Sequence, residues 1–271
     1  MAKRTEAYGS RSWERPTVFY NRFVKYGVYL AIIGFFAWSA WEMRVSPERL
    51  LAGGEAATNF LTGMFPPDFG TQQRELIWSG IVESVAMAIV ATAIGVAVSI
   101  PVAFMAAANV APKPIYLAAR GIISVARAFH ELIIAIVAVI AVGIGPLAGI
   151  ITLSFKTVGF FGKLLSEEIE EIDERQVEAI RATGANTAQI MLFGVLPQVV
   201  PRIVGLAIYR WDINLRSSTI VGIVGAGGIG LTLLHSFDRY EYDFTFAIIL
   251  VILALVLLGE GISAVLRRRV Q

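Results

Sequence analysis

The sequence predicts an all-α, polytopic membrane protein with six transmembrane helices, and three observations carry that reading. Apolar residues make up 56% of the 271-residue chain and charged ones only 16%, against roughly 45–50% and about 25% in soluble domains. The mean hydropathy is +0.68. Apolar runs at 24–41, 76–108, 115–142, 144–165, 199–224 and 244–266 approach or exceed the roughly 20 residues that a spanning helix requires. With no Cys and only His130 and His235, disulfide frameworks, thiolate chemistry and Cys- or His-cluster metal sites are excluded.

Residues 1–23 carry Lys3, Arg4, Arg11, Arg15 and Arg22, with no small-residue cleavage site closing the apolar run that follows. A basic cytoplasmic tail and a retained first span, about Val24–Trp41, are expected, with Trp38 and Trp41 at its outer interface. Segment 42–74 is rich in Gly and Pro and reads as an external loop with a short helix at Pro47–Phe60. The second span is expected from Glu75 to Ala108, broken by Pro101, and the third from Ile115 to Val142. Gly143, Gly145 and Pro146 supply a turn into a fourth span that ends near Lys163. Small residues of the second span (Ala86, Ala88, Ala91, Ala93, Gly95, Ala97) suit close helix packing.

Residues 166–197 are the sizeable polar insert between spans. An acidic run at 167–174, read as a solvated helix face, leads into a mixed-polarity helical segment at Arg175–Phe193. The fifth span runs from Val199 to Val224, a Gly-rich loop fills 225–230, and the sixth span, Phe244–Leu266, ends at Arg267, Arg268 and Arg269. Both termini are therefore expected on the basic, cytoplasmic side. Glu83 reads as near the external interface, and His235, Asp238, Arg239 and Glu241 as an external loop.

Within the insert, Glu178, Ala179, Gly184, Leu196 and Pro197 occupy five positions of the pattern E-A-A, three residues, G, nine residues, I, one residue, L-P, with Ile180 and Gly194 departing from it. Here the chain resembles the permease subunits of binding-protein-dependent ABC importers. A short helix, a Gly-permitted turn, a second short helix and a Pro-initiated span suit a coupling element. The resemblance implies that Glu178–Gly184, Arg181 included, docks on a separate ATPase subunit. An ordinary amphipathic loop is the simpler alternative.

The run Gly225–Gly230 matches G-x-G-x-x-G, but it follows an apolar helix instead of a strand in a βαβ unit, so a dinucleotide site is rejected. Its glycines fit a loop that breaks the fifth span beside a translocation path. Together with Arg210, Asp212, Asn214 and Arg216 upstream, and with Arg127-Ala-Phe-His-Glu-Leu132, this region is similar to the phosphonate-type permeases over about residues 75–266. Asp212 stands where that family has Glu, and His130 where it has Pro.

Arg127, His130, Glu131, Arg210, Asp212, Asn214 and Arg216 lie inside apolar spans, where each charge would cost ~2.5 kcal/mol or more facing lipid. Two readings stay open. They are internal pairs, Arg127 with Glu131 and Arg210 or Arg216 with Asp212, that fix packing. Or they form a cationic path for an anion, together with Gly225, Gly227 and Gly228.

The resemblance implies the type I ABC importer permease fold: core 75–266, coupling segment 166–197, and half of a pore completed by a second copy. It also implies a bacterial inner-membrane location, an extracytoplasmic substrate-binding protein, a phosphonate, phosphate or phosphite cargo, and a pair of ATPase subunits holding ATP and Mg. No G-x-x-x-x-G-K-[ST] loop occurs in this sequence, so the chain itself is expected to bind no cofactor or nucleic acid and to hydrolyse no ATP. A methionine or sulfonate permease is the near alternative. An intramembrane enzyme built on Arg127, His130 and Glu131 is the distant one.

Overall fold

The computed structural model describes residues 21–43 and 46–270. The basic-tail expectation for residues 1–20 lies outside them. The chain divides into two units, 1–59 and 60–271. In the first, helix α1 (Arg22–Glu42) is capped by the Asn21 side chain and buries no residue, as an apolar helix facing lipid does. Helix α2 (Pro47–Gly63) begins there too.

The second unit is built on three long helices: α3 (Thr71–Met105), α6 (Pro146–Glu170) and α9 (Leu196–Gly222). Ser84, Ala88, Ala91, Gly95 and Ser99 form a small-residue face buried along α3, whereas Ala86, Ala93 and Ala97 are exposed. A Cβ on Gly95 would run into the Thr157 side chain of α6, so hydrogen alone permits this approach. Pro101 does not break the second span: α3 continues through it to Met105.

The third span is not one helix. It is α4 (Lys113–Ala128) followed by α5 (Glu131–Val142), bent by 89° at Phe129–His130. Among the described residues, five helices are long and apolar enough to cross a membrane, or six when this bent pair counts as one span. Pro146 opens α6 in its first turn, where proline's missing N–H costs nothing. The helix then runs past Lys163 to Glu170, because Glu167, Glu168 and Glu170 pair with Lys163, Arg202 and Arg120. Those acids are half-buried clamps, and within the acidic run Glu171 and Glu174 are the exposed ones.

The polar insert folds as α7 (Glu174–Ala182), α8 (Thr187–Ile190) and a π-helical turn, Met191–Val195, that leads directly into α9. Asn186 and Gln189 close a capping box on α8. The fifth span thus begins at Leu196, earlier than its apolar run, and carries Pro201 inside it. Helix α10 (Gly228–Asp238) occupies much of what reads as loop in the sequence, and α11 (Tyr242–Val270) closes the bundle.

Buried apolar residues fall into layers along α3 and α6. One joins Ala91, Ala135, Leu153, Val221 and Ala226. Another joins Ala103, Phe161, Leu165, Ile169 and Val199 at the opposite end. A third packs Ile77 and Ile229 on Phe244 and Ile248 of α11. At Gly80 a Cβ would lie 2.9 Å from the Ile229 backbone. Gly80→Val is therefore expected to push α3 off α10 and lower stability by about 1–3 kcal/mol, read as a lower melting temperature of the purified protein in detergent. The exposed Gly121→Ala should leave it unmoved or slightly raised, since nothing lies within 4 Å there.

Candidate functional site: a polar layer at mid-span and a polar segment between spans

The polar residues of the spans converge on one layer. Arg210 and Asn214, one turn apart on α9, meet the Thr157 hydroxyl of α6 together. Arg210 Nε donates to Thr157 Oγ1 at 3.0 Å, and Asn214 Nδ2 donates to the same oxygen at 3.1 Å and to Thr92 Oγ1 of α3 at 2.9 Å. The two hydroxyls are free to accept because each spends its own proton on its helix, Thr157 on the Leu153 carbonyl at 2.7 Å and Thr92 on the Ala88 carbonyl at 2.6 Å. Arg210 is 4% exposed and Asn214 fully buried. The guanidinium also lies over the Phe160 ring, 5.2 Å from its centre, a contact that stabilises a desolvated cation. Arg210 Nη2 and Asn214 Oδ1 have no partner among the described residues.

Beside this layer the break between α4 and α5 opens a cavity of about 320 Å³ lined by Arg127, Ala128, Phe129, His130, Glu131 and Lys156. Gly159 sets its width. A Cβ there would lie 3.0 Å from the Ala126 backbone and 3.1 Å from Arg127 Cγ, so α4 rests directly on α6. Lys156 Nζ donates to the Phe129 carbonyl at 2.9 Å, satisfying an acceptor that the helix end leaves open.

His130 resolves the departure from the family's proline. It is the N-cap of α5 at φ −70°, ψ 143°, the φ that proline would impose, and its Nδ1 accepts from the Leu132 N–H at 3.3 Å. The backbone shape is kept and a cap is added.

The pairing expected of Arg127 with Glu131 does not form. The 89° bend falls between them, so the i, i+4 relation of a continuous helix is lost, and Glu131 instead accepts from Ser217 Oγ at 3.1 and 3.3 Å. Arg216 does pair with Asp212, at 3.6 Å; Arg210 pairs with neither carboxylate. Lys156, Thr92, Thr157 and Ser217 were not among the sequence candidates. Lys156 was recognisable as an ionisable residue in the middle of the fourth apolar run, whereas the hydroxyls carry no such signal.

Gly225, Gly227 and Gly228 are not in this layer. Along α9, Gly222 lies 12 residues beyond Arg210, about 18 Å at 1.5 Å per residue. There the loop packs on the start of α6: Gly145 N–H donates to the Gly225 carbonyl at 2.9 Å, and Ser84 Oγ of α3 accepts from Ile229 N–H at 2.9 Å. All three glycines have positive φ.

At the other end, Glu178, Ala179 and Arg181 are exposed on α7, which buries no residue. Gly184 turns the chain at φ +80°, and Leu196 and Pro197 open α9. A groove of about 350 Å³ between Asn109, Val110, Val177, Glu178, Arg181 and Met191 runs beside α7. Asp173 caps α7, and its carboxyl is held below the usual range, first by the backbone N–H of Arg175 and then by that residue's side chain. The link to the span is Gln198 of α9: its Oε1 accepts from Asp173 N–H at 3.0 Å and its Nε2 donates to the Gly194 carbonyl at 2.8 Å. A push on α7 therefore reaches α9 through a short hydrogen-bonded path.

Residues 99–271 match the family described as binding-protein-dependent transport system inner membrane component. The chain belongs to that family. It is a multi-pass transport subunit and not itself an enzyme. It is 41% identical over 239 residues to the phosphite transport system permease protein PtxC of Stutzerimonas stutzeri, covering 88% of this chain and 86% of that one. It is 38% identical to the phosphate-import permease protein PhnE of Mycolicibacterium smegmatis, over 92% of this chain and 47% of that longer one. Among solved structures, an inward-facing form of the MetNI methionine ABC transporter superposes with a TM-score of 0.66 at 22% identity, over 75% of this chain and 100% of that one. It confirms the expected importer-permease fold.

Thr157→Val in this inner membrane component keeps the side chain's shape but strands two buried donors. It is expected to cost about 1–3 kcal/mol for each, read as a lowered melting temperature in detergent. Thr152→Val is the control, because the Thr152 hydroxyl bonds only the Ala148 carbonyl of its own helix, and it should shift stability by well under half as much.

Proposed function

We propose that this chain is half of a pore that imports a phosphorus oxyanion (phosphonate, phosphite or phosphate), with energy from ATPase subunits docked on its α7–α8 segment and cargo delivered by a substrate-binding protein. The observation that carries the cargo is the charge balance of the polar layer. Arg127, Lys156 and Arg210 face one carboxylate, Glu131, and none of the four is in an ion pair among the described residues. Cations are left uncompensated at mid-span only at high cost, and a mobile anion offsets that cost as it passes. Arg127, His130 and Glu131 would line the path directly, with Arg210, Asp212, Asn214 and Arg216 behind them, while the Gly225–Gly228 loop would close its outer end.

The exposed face of α5 supports a second copy. Ile133, Ile136, Val137 and Ile140 of α5 are 46–80% exposed beside the cavity mouth, so a path between two copies would be walled by these faces. Charge supports an orientation: Lys113, Arg120, Lys163, Arg202 and Arg267–Arg269 gather at the α7–α8 end, in keeping with that end lying on the cytoplasmic side. The exposed face of α7 with Glu178, Ala179 and Arg181, the Gly184 turn and the Leu196–Pro197 entry to α9 supports docking of the ATPase there. ATP-driven approach of two such segments would tilt α9 through Gln198 and alternate the pore between its two faces.

Uptake into vesicles holding this chain with its ATPase and binding protein tests the cargo. ATP-dependent entry of phosphite, phosphate or a phosphonate is expected. Entry of methionine or a sulfonate alone would overturn the assignment while leaving the transport subunit intact.

Coupling has its own test. Gly184→Val puts a β-branched residue at φ +80°, a conformation it rarely adopts, with open space around it. Folding of the bundle should survive, while cargo-stimulated ATP hydrolysis and uptake fall together by tenfold or more. Wild-type rates in both Gly184→Val and Glu178→Lys would refute docking at this segment.

A further inference from the structure

We infer that Lys156 is a direct anion contact and a determinant of oxyanion affinity, forming with Arg127 a two-cation site at the α4–α5 break; the inference rests on the proposed import of a phosphorus oxyanion. Both residues line the cavity of about 320 Å³. Neither is in an ion pair among the described residues.

Position is the first argument. Lys156 lies ten residues after Pro146 and fourteen before Glu170 in α6, so it stands about 15 Å from one end of the helix and about 21 Å from the other. A lysine near the end of a span reaches water by extending its four-carbon stem. One at this depth does not, and it needs a cavity to be solvated. The cavity is there, and Lys156 is half-buried in its wall.

Like charge is the second. Gly159 lets α4 press on α6 until the Arg127 stem lies against the helix that carries Lys156. Two cations lining one cavity of a membrane protein repel each other. A stabilising role alone would place a carboxylate between them. The cavity's carboxylate, Glu131, instead accepts from Ser217 Oγ of α9 and forms a close ion pair with neither cation among the described residues. Arg210, which would otherwise be a third competitor for any acid, is held back by Thr157 and Phe160.

Donor geometry is the third. Lys156 spends one N–H on the Phe129 carbonyl, which aims the ammonium at the helix break and leaves two donors. Arg127 adds a planar fork suited to two oxygens of one tetrahedral centre. Together they offer several donors from two directions to a small multi-oxygen anion. A zwitterionic amino acid would place its ammonium among them and be repelled, so the same pair discriminates against methionine-like cargo.

The test is phosphite uptake by the assembled transporter in vesicles. Lys156→Met is expected to raise the KM for phosphite about tenfold while uptake at saturating phosphite falls no more than about twofold, and Lys156→Arg should restore KM to within about threefold of wild type. A KM that stays put while the rate or the melting temperature drops would make Lys156 a clamp on the Phe129 carbonyl only, and would overturn the inference. Should Lys156→Met fail to assemble, the wild-type complex answers. Phosphite should slow acylation of Lys156 by an amine-reactive ester, read by mass spectrometry against Lys163, and equal rates with and without phosphite would overturn it. Wild-type vesicles that take up no phosphorus oxyanion would instead sink the proposed cargo.

Discussion

The structure turns on one hydroxyl. Thr157 Oγ1 accepts from Arg210 and Asn214 of α9, donates within α6, and sits where Gly95 lets α3 come closest. In lipid there is no hydrophobic force to drive helices together, so association must come from close packing and from polar groups that have nowhere else to go. Thr157 supplies both at one point. It also decides what the neighbouring charges are free to do: by holding Arg210 through Nε, it keeps that guanidinium in the bundle and out of the cavity at the helix break.

Much of this was legible in the sequence, and the reasons are physical. Spans announce themselves because backbone in hydrocarbon must be helical and its side chains apolar. The α7–α8 segment stood out because its polarity, its Gly184 turn and the Leu196–Pro197 start of α9 agree. The Arg216–Asp212 pair was readable because it lies on one unbroken helix. The break at Phe129–His130 was not, since no Gly or Pro marks it; a histidine does proline's work there through its φ and its capping nitrogen. From that missed bend follows the failed pairing of Arg127 with Glu131. Pro101 misled in the opposite direction, reading as a break in a helix that in fact passes through it.

The hydroxyls show a different limit. Thr92, Thr157 and Ser217 look in sequence like any other small polar residue in a membrane helix, satisfied by the carbonyl a turn away. Two of them are so satisfied, and their second role as acceptors appears only when α9 is placed beside them. Partnership between helices far apart in the chain, 57 or 122 residues in the case of Asn214, has no periodicity to read. Lys156 is the intermediate case, since its charge was visible and only its depth needed the helix.

The two functional ends of α9 are joined by the same economy. Gln198 ties its start to the cap of α7, the π-helical turn just before it leaves a register that is less tightly wound than an α-helix, and the Arg210–Asn214 face lies some three to four turns further on. A displacement of α7 would thus reach the polar layer along α9. The π-helical turn sits at the entry to α9, where a change in winding would rotate the face that Arg210 and Asn214 present. Rotation of α9 by even part of a turn would take both away from Thr157, and Ser217 away from Glu131. The cations at the break would then be rebalanced by a carboxylate in one state and by an anion in the other, which is what a carrier that must bind its cargo and also release it requires.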